Sequence, residues 1–140
     1  MTTMINRRNF LSLAAAGAVA GMLGVTGFAS ISRAAEAGAF DRTAFDSALA
    51  AGGPVLIDIS ASWCSTCKAQ GAAVAKLVKQ PEYAGYTIFV VDYDTQKDIM
   101  REFGARQRST LIVFSGGAEA GRIVGDTRMD SIEALLAKGV

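Results

Sequence analysis

The sequence predicts an α/β fold, a central mixed β-sheet with helices on both faces. Three observations lead there. Segments of helical and of strand periodicity alternate from Phe40 to Lys138. The run Val55-Leu56-Ile57-Asp58-Ile59 is apolar on both of its faces apart from Asp58, the pattern of a central strand covered by helices on either side. Finally, two strand-like runs, Thr110 to Phe114 and Ala118 to Val124, flank Gly116-Gly117, a pair that supplies the positive φ of a tight antiparallel hairpin.

Each element has its own warrant. Phe40, Ala44, Phe45, Ala48 and Leu49 recur at helical spacing, with Asp41 placed to cap and Gly52-Gly53 to stop the helix. Pro54 opens the strand that ends at Ser60. A helix is expected to start at Cys64 and to continue through Ala72, Val74, Ala75, Leu77 and Val78 until Pro81 forbids it, with Gly71 as a candidate bend. Tyr86 to Tyr93 is rich in β-branched and aromatic residues and reads as a strand. Asp94-Thr95 is expected to cap a helix to Phe103, which Gly104 ends. After the hairpin, Asp126 or Thr127 is expected to start a last helix, Met129 to Lys138, with Ile132, Leu135 and Leu136 on one side.

Residues 1–35 read as an export signal and residues 36–140 as the folded domain. The first ten residues are basic through Arg7 and Arg8, Leu11 to Ala29 is uncharged and rich in Ala and Gly, and small residues near Ala34 and Ala37 suit cleavage. Asn6-Arg7-Arg8-Asn9-Phe10-Leu11 resembles the bacterial twin-arginine signal, which implies a periplasmic destination. An ordinary secretory signal or an uncleaved membrane anchor is the alternative, since the apolar run is close to bilayer-spanning length. Without residues 1–35, Arg7, Arg8 and Arg33 are lost and no acid with them, leaving 11 basic and 13 acidic side chains. No basic run can track a phosphate backbone, which argues against nucleic acid as a partner.

The two cysteines of the chain are Cys64 and Cys67, in Trp63-Cys64-Ser65-Thr66-Cys67-Lys68. At the first turn of a helix, unpaired N–H groups and the helix dipole favour a thiolate, and such placement lowers a cysteine pKa from about 8.5 to about 3.5–7.5. A dithiol that opens and closes a disulfide is the simplest reading. The chain has no His, so a zinc site would need carboxylates to complete four ligands, and Lys68 stands where a haem-attachment motif needs His. A redox-inert pair is a poorer alternative, because a bridge across three residues closes almost no loop.

Val55 to Lys68, with an acid on the strand, Trp63 before the first Cys and Lys68 after the second, resembles the active-site strand and helix start of thioredoxin-like proteins. Val91-Asp92-Tyr93-Asp94, Phe103-Gly104-Ala105-Arg106 and Thr110-Leu111-Ile112-Val113-Phe114 before Gly116-Gly117 are similar to later parts of that family, in the same order. The resemblance covers about residues 40 to 138 and implies the thioredoxin-like fold. It implies an exported thiol–disulfide oxidoreductase without cofactor, in which Cys64 attacks a disulfide, Cys67 resolves the mixed disulfide and Asp58 accepts the Cys67 proton. Trp63, Arg108, Ser109 and Thr110 are the implied substrate-binding residues. Disulfide-containing proteins are the implied substrates and a membrane protein the electron donor, as in relays of cytochrome c maturation and disulfide repair. One departure stands out: the family's proline before the Thr-Leu strand, usually cis, is Ser109 here, and a trans Arg108–Ser109 peptide is expected. With no proline guarding the sulfurs, a non-enzymatic module binding copper, zinc or an iron–sulfur cluster is the alternative reading.

Overall fold

The computed structural model describes residues 37–140; the segment read as an export signal, with its Arg7-Arg8 pair, lies outside the described residues. The elements are β1 (Gly38–Ala39), α1 (Arg42–Ala50), β2 (Val55–Ser60), α2 (Ser65–Leu77), β3 (Thr87–Asp92), α3 (Lys97–Glu102), β4 (Thr110–Ser115), β5 (Ala118–Val124) and α4 (Met129–Leu136). They form one five-stranded sheet in the order β1-β3-β2-β4-β5. Strand β3 is parallel to both β1 and β2, whereas β2–β4 and β4–β5 are antiparallel. The sheet is therefore mixed, as the sequence predicts, and β2 lies at its centre.

The alternation of β2 explains the layers. Val55, Ile57 and Ile59 point to one face, where Phe89, Val91, Ile112 and Phe114 of the sheet meet Phe45 of α1 and Met100 of α3. Leu56 points to the other face, against Ala73, Val74 and Leu77 of α2 and Ile132, Leu135 and Leu136 of α4. Both faces of β2 are buried, which is why the run needs no polar alternation.

Several local expectations are met. Asp41 caps α1 by accepting the Ala44 N–H at 2.8 Å. Gly116 and Gly117 both have positive φ, 57° and 84°, and turn β4 into β5. Others need correction. Helix α3 begins at Lys97, because Asp94 and Thr95 are held in a turn by Asp92, whose carboxylate accepts both of their N–H groups and the Thr95 hydroxyl. Those bonds, led by the Thr95 amide, hold the Asp92 carboxyl below its ordinary range. Helix α4 begins at Met129 as expected but ends at Leu136, and its N-cap is Arg128, since Asp126 is occupied in accepting the Arg128 amide and guanidinium. Helix α2 runs unbroken through Gly71. Strand β1 was not expected: its two residues carry no periodicity and pair with Phe89 and Val90.

Candidate active site

The site is built where β2 ends and α2 begins. Cys64 takes the N-cap position with extended backbone, and its Sγ accepts the Cys67 N–H at 3.1 Å. The cap that Ser or Asp usually provides is thus a sulfur here, and one orphan amide of the helix is satisfied by it. Cys64 and Cys67 are joined as a disulfide, with Cα atoms 5.3 Å apart. Both are buried, Cys64 at 4% and Cys67 at 2% exposure, so in this oxidised state the first cysteine is only slightly the more open. Ala61 and Tyr93 pack beside them.

Ser109 meets the disulfide from the opposite side. Its Oγ lies 3.2 Å from Cys64 Sγ and 3.1 Å from Cys67 Sγ. The Arg108–Ser109 peptide is trans, in keeping with the loss of proline, and Ser109 has φ 57°, the only positive φ of a non-glycine residue among the described residues. Two backbone bonds hold it: its N–H donates to Ile59 O at the end of β2, and its carbonyl accepts the Gly125 N–H after β5, each at 2.8 Å.

Trp63 is 57% exposed. Its indole N–H donates to Asp94 Oδ2 at 2.9 Å, its ring stands edge-on to Tyr93, and the Arg108 guanidinium lies 4.8 Å over it. Arg108 therefore extends along the rim, on the indole, and Ser109 is the residue that reaches the sulfurs. Thr110 is 1% exposed and its hydroxyl donates to Gln107 O at 2.8 Å. Its side chain fastens the start of β4.

Asp58 is 8% exposed and, by strand alternation, shares with Leu56 the face that α2 covers. Its cross-strand neighbours are Val90 and Leu111, neither of which can bond a carboxylate. Burial pushes its carboxyl up to about 6 from the ordinary 3.8. Among the described residues, Asp58 Oδ1 and Gln70 Oε1 are buried side-chain oxygens without a hydrogen-bond partner in the protein. Gln70 was not singled out in the sequence. It is fully buried one turn after Cys67, and its Nε2 donates to Asp126 O at 2.9 Å, tying α2 to the loop that also holds Ser109. An amide on the apolar stripe of α2 was the available signal. Tyr93 was likewise read only as part of a strand.

As a donor set, the site offers two sulfurs and one hydroxyl, and no group of three or more Cys, Asp or Glu side chains comes together among the described residues. What the arrangement can do by itself is exchange a disulfide at a helix N-terminus, behind a strand that carries a buried acid of raised pKa.

Comparison with known proteins bears on the same segment. The thioredoxin family model matches residues 37–138. A thioredoxin of Chlamydia muridarum is 35% identical over 88 residues, 63% of this chain and 84% of that protein. "Thioredoxin Asp f 29" of Aspergillus fumigatus is 32% identical over 73 residues, 52% of this chain and 66% of that protein, so the match spans just under two thirds of the fungal relative. The crystal structure of Trxlp from Edwardsiella tarda superposes with a TM-score of 0.70 at 36% identity, over 72% of this chain and 98% of that one.

Proposed function

The chain belongs to the thioredoxin family, and from that membership we propose that it is an exported protein-disulfide reductase recharged by a membrane dithiol donor. Thiol–disulfide exchange through Cys64 and Cys67 is the chemistry of such a domain. The finer reading concerns direction, place and partners. The observation that carries the exchange chemistry itself is the position of Cys64 as the N-cap of α2, with the Cys67 amide aimed at its sulfur. A thiolate there is stabilised by that N–H and by the helix dipole.

In the reduced state the Cys64 thiolate attacks a substrate disulfide. One substrate sulfur leaves as a thiol and the other stays bonded to Cys64. Cys67 then gives its proton to the Asp58 carboxylate and attacks Cys64 Sγ, which releases the second substrate thiol and closes the disulfide seen here. Two electrons pass to the substrate, whose two leaving thiolates take up one proton from solvent and one returned by Asp58, so that the acid ends as the carboxylate. Outside the cytoplasm a dithiol stays oxidised unless electrons are supplied, so reduction requires a donor dithiol, and the twin-arginine-like Arg7-Arg8 segment supports a periplasmic setting.

Two tests separate the parts of this proposal. With Cys67→Ser, a mixed disulfide through Cys64 accumulates, whereas Cys64→Ser abolishes exchange; equal trapping by both variants rules out the assigned order. With Arg7→Lys and Arg8→Lys together, precursor accumulates in the cytoplasm of a bacterial host, measured by fractionation. Undiminished export by that double variant would exclude the twin-arginine route.

A further inference from the structure

We propose that Ser109 is a catalytic residue of the exchange reaction, whose hydroxyl donates to whichever sulfur of the pair carries the negative charge; this rests on the exchange chemistry proposed above. The geometry carries it. One oxygen sits 3.2 Å from Cys64 Sγ and 3.1 Å from Cys67 Sγ, so the O–H can turn from one sulfur to the other without displacement of the oxygen. The hydroxyl is buried with the disulfide, since Ser109 is 4% exposed.

The backbone shows that this placement is imposed. Left-handed φ is unfavourable for a residue with a Cβ, and Ser109 is held there by its bonds to Ile59 O and Gly125 N. A glycine would meet the same backbone demand without strain. What serine adds is the hydroxyl, and the hydroxyl is on the sulfurs.

The two sulfurs do not depend on it equally. Cys64 Sγ also accepts the Cys67 amide at 3.1 Å, while among the described residues the one polar contact of Cys67 Sγ is Ser109 Oγ. In recharging, a donor thiolate attacks Cys64 Sγ. A bond forms between donor sulfur and Cys64, the Cys64–Cys67 bond breaks, and its electron pair leaves on Cys67 Sγ. The O–H of Ser109 donates to that thiolate until it takes a proton. The donor's second thiolate then displaces Cys64, the donor becomes a disulfide, and two electrons have entered the pair. A disulfide sulfur is a poor acceptor, whereas a hydrogen bond to a thiolate is charge-assisted and about twice as strong as a neutral one. The contact therefore favours the reduced, ionised state over the disulfide, and it speeds the step in which Cys67 leaves.

The test compares the full chain with Ser109→Ala and Ser109→Gly, equilibrated with glutathione and, separately, reduced by dithiothreitol under stopped flow. Both substitutions remove the hydroxyl; only Ala keeps the strain. Both are expected to shift the glutathione equilibrium about tenfold towards the disulfide, which is 29.6 mV for this two-electron couple, and to slow reduction by a similar factor. Wild-type values in both variants overturn the proposal, and so does a shift in Ala that Gly lacks, because that assigns the effect to the backbone. Exchange by the unsubstituted chain, and its loss in Cys64→Ser, tests the underlying chemistry independently of either result.

Discussion

The two faces of the sheet are built to different rules. On the α1/α3 face, Phe40, Phe45, Phe89, Phe103 and Phe114 meet with ring centroids 5.3–6.1 Å apart, mostly edge to face. No buried side-chain oxygen among the described residues is left unpaired there. On the α2 face, the same sheet carries Asp58, and α2 carries Gln70, each with a buried oxygen lacking a protein partner. Aromatic packing of this kind adds about 0.5–1.5 kcal/mol per pair beyond burial, whereas an unpaired buried polar group costs about 1–3 kcal/mol. The difference teaches that polar chemistry is confined to one side of β2: both sides carry an apolar core, but one strand supplies Ile57 to a wholly apolar layer and Asp58 to the layer that also holds the buried acid and amide.

The largest effect expected from this division is on the aromatic face. Phe45 is 3% exposed and touches Phe40, Phe89, Phe103 and Phe114. Phe45→Ala should lose about 3–5 kcal/mol in denaturant unfolding. It should leave the dithiol's reduction potential unchanged at temperatures where the variant is folded. A shifted potential would show that the two faces are coupled, and the division would fail.

What the sequence made legible follows the same line. The apolar layers could be read in part, because Phe40 and Phe45 at helical spacing and the unbroken apolar run of β2 are local patterns. The dithiol could be read because both sulfurs and the helix start lie within four residues. The acid on β2 was visible as the one charge in an apolar run. Other features depend on parts of the chain that meet only in the fold. The contact of Ser109 with both sulfurs spans more than 40 residues, and its φ of 57° follows from bonds to Ile59 and Gly125. Gln70 looked like any polar helix residue until the loop at Asp126 closed over it. Asp94 failed as a cap because Asp92 holds it in a turn and its own carboxylate accepts the Trp63 indole N–H, 31 residues away in the sequence.

The smaller effect, and the sharper test of the division, is at Asp58. Its carboxyl has a folded-state value of about 6 against an ordinary 3.8, through burial. The folded protein therefore holds a proton between about pH 4 and 6 that the unfolded chain has released. Stability is highest below that window, falls as pH rises through it, and is level above about 6. A difference of about two units corresponds to about 3 kcal/mol at neutral pH. Asp58→Asn should gain up to that amount at pH 7, gain almost nothing near pH 4, and lose the slope between them, as measured by denaturant unfolding across the range. At the same time the first attack by Cys64 should persist while the resolving attack by Cys67 slows, so that mixed disulfide accumulates. The acid would then be a group kept for proton transfer at the expense of stability, the reverse of Phe45. A slope that survives in Asp58→Asn would place the proton elsewhere and remove Asp58 from both roles.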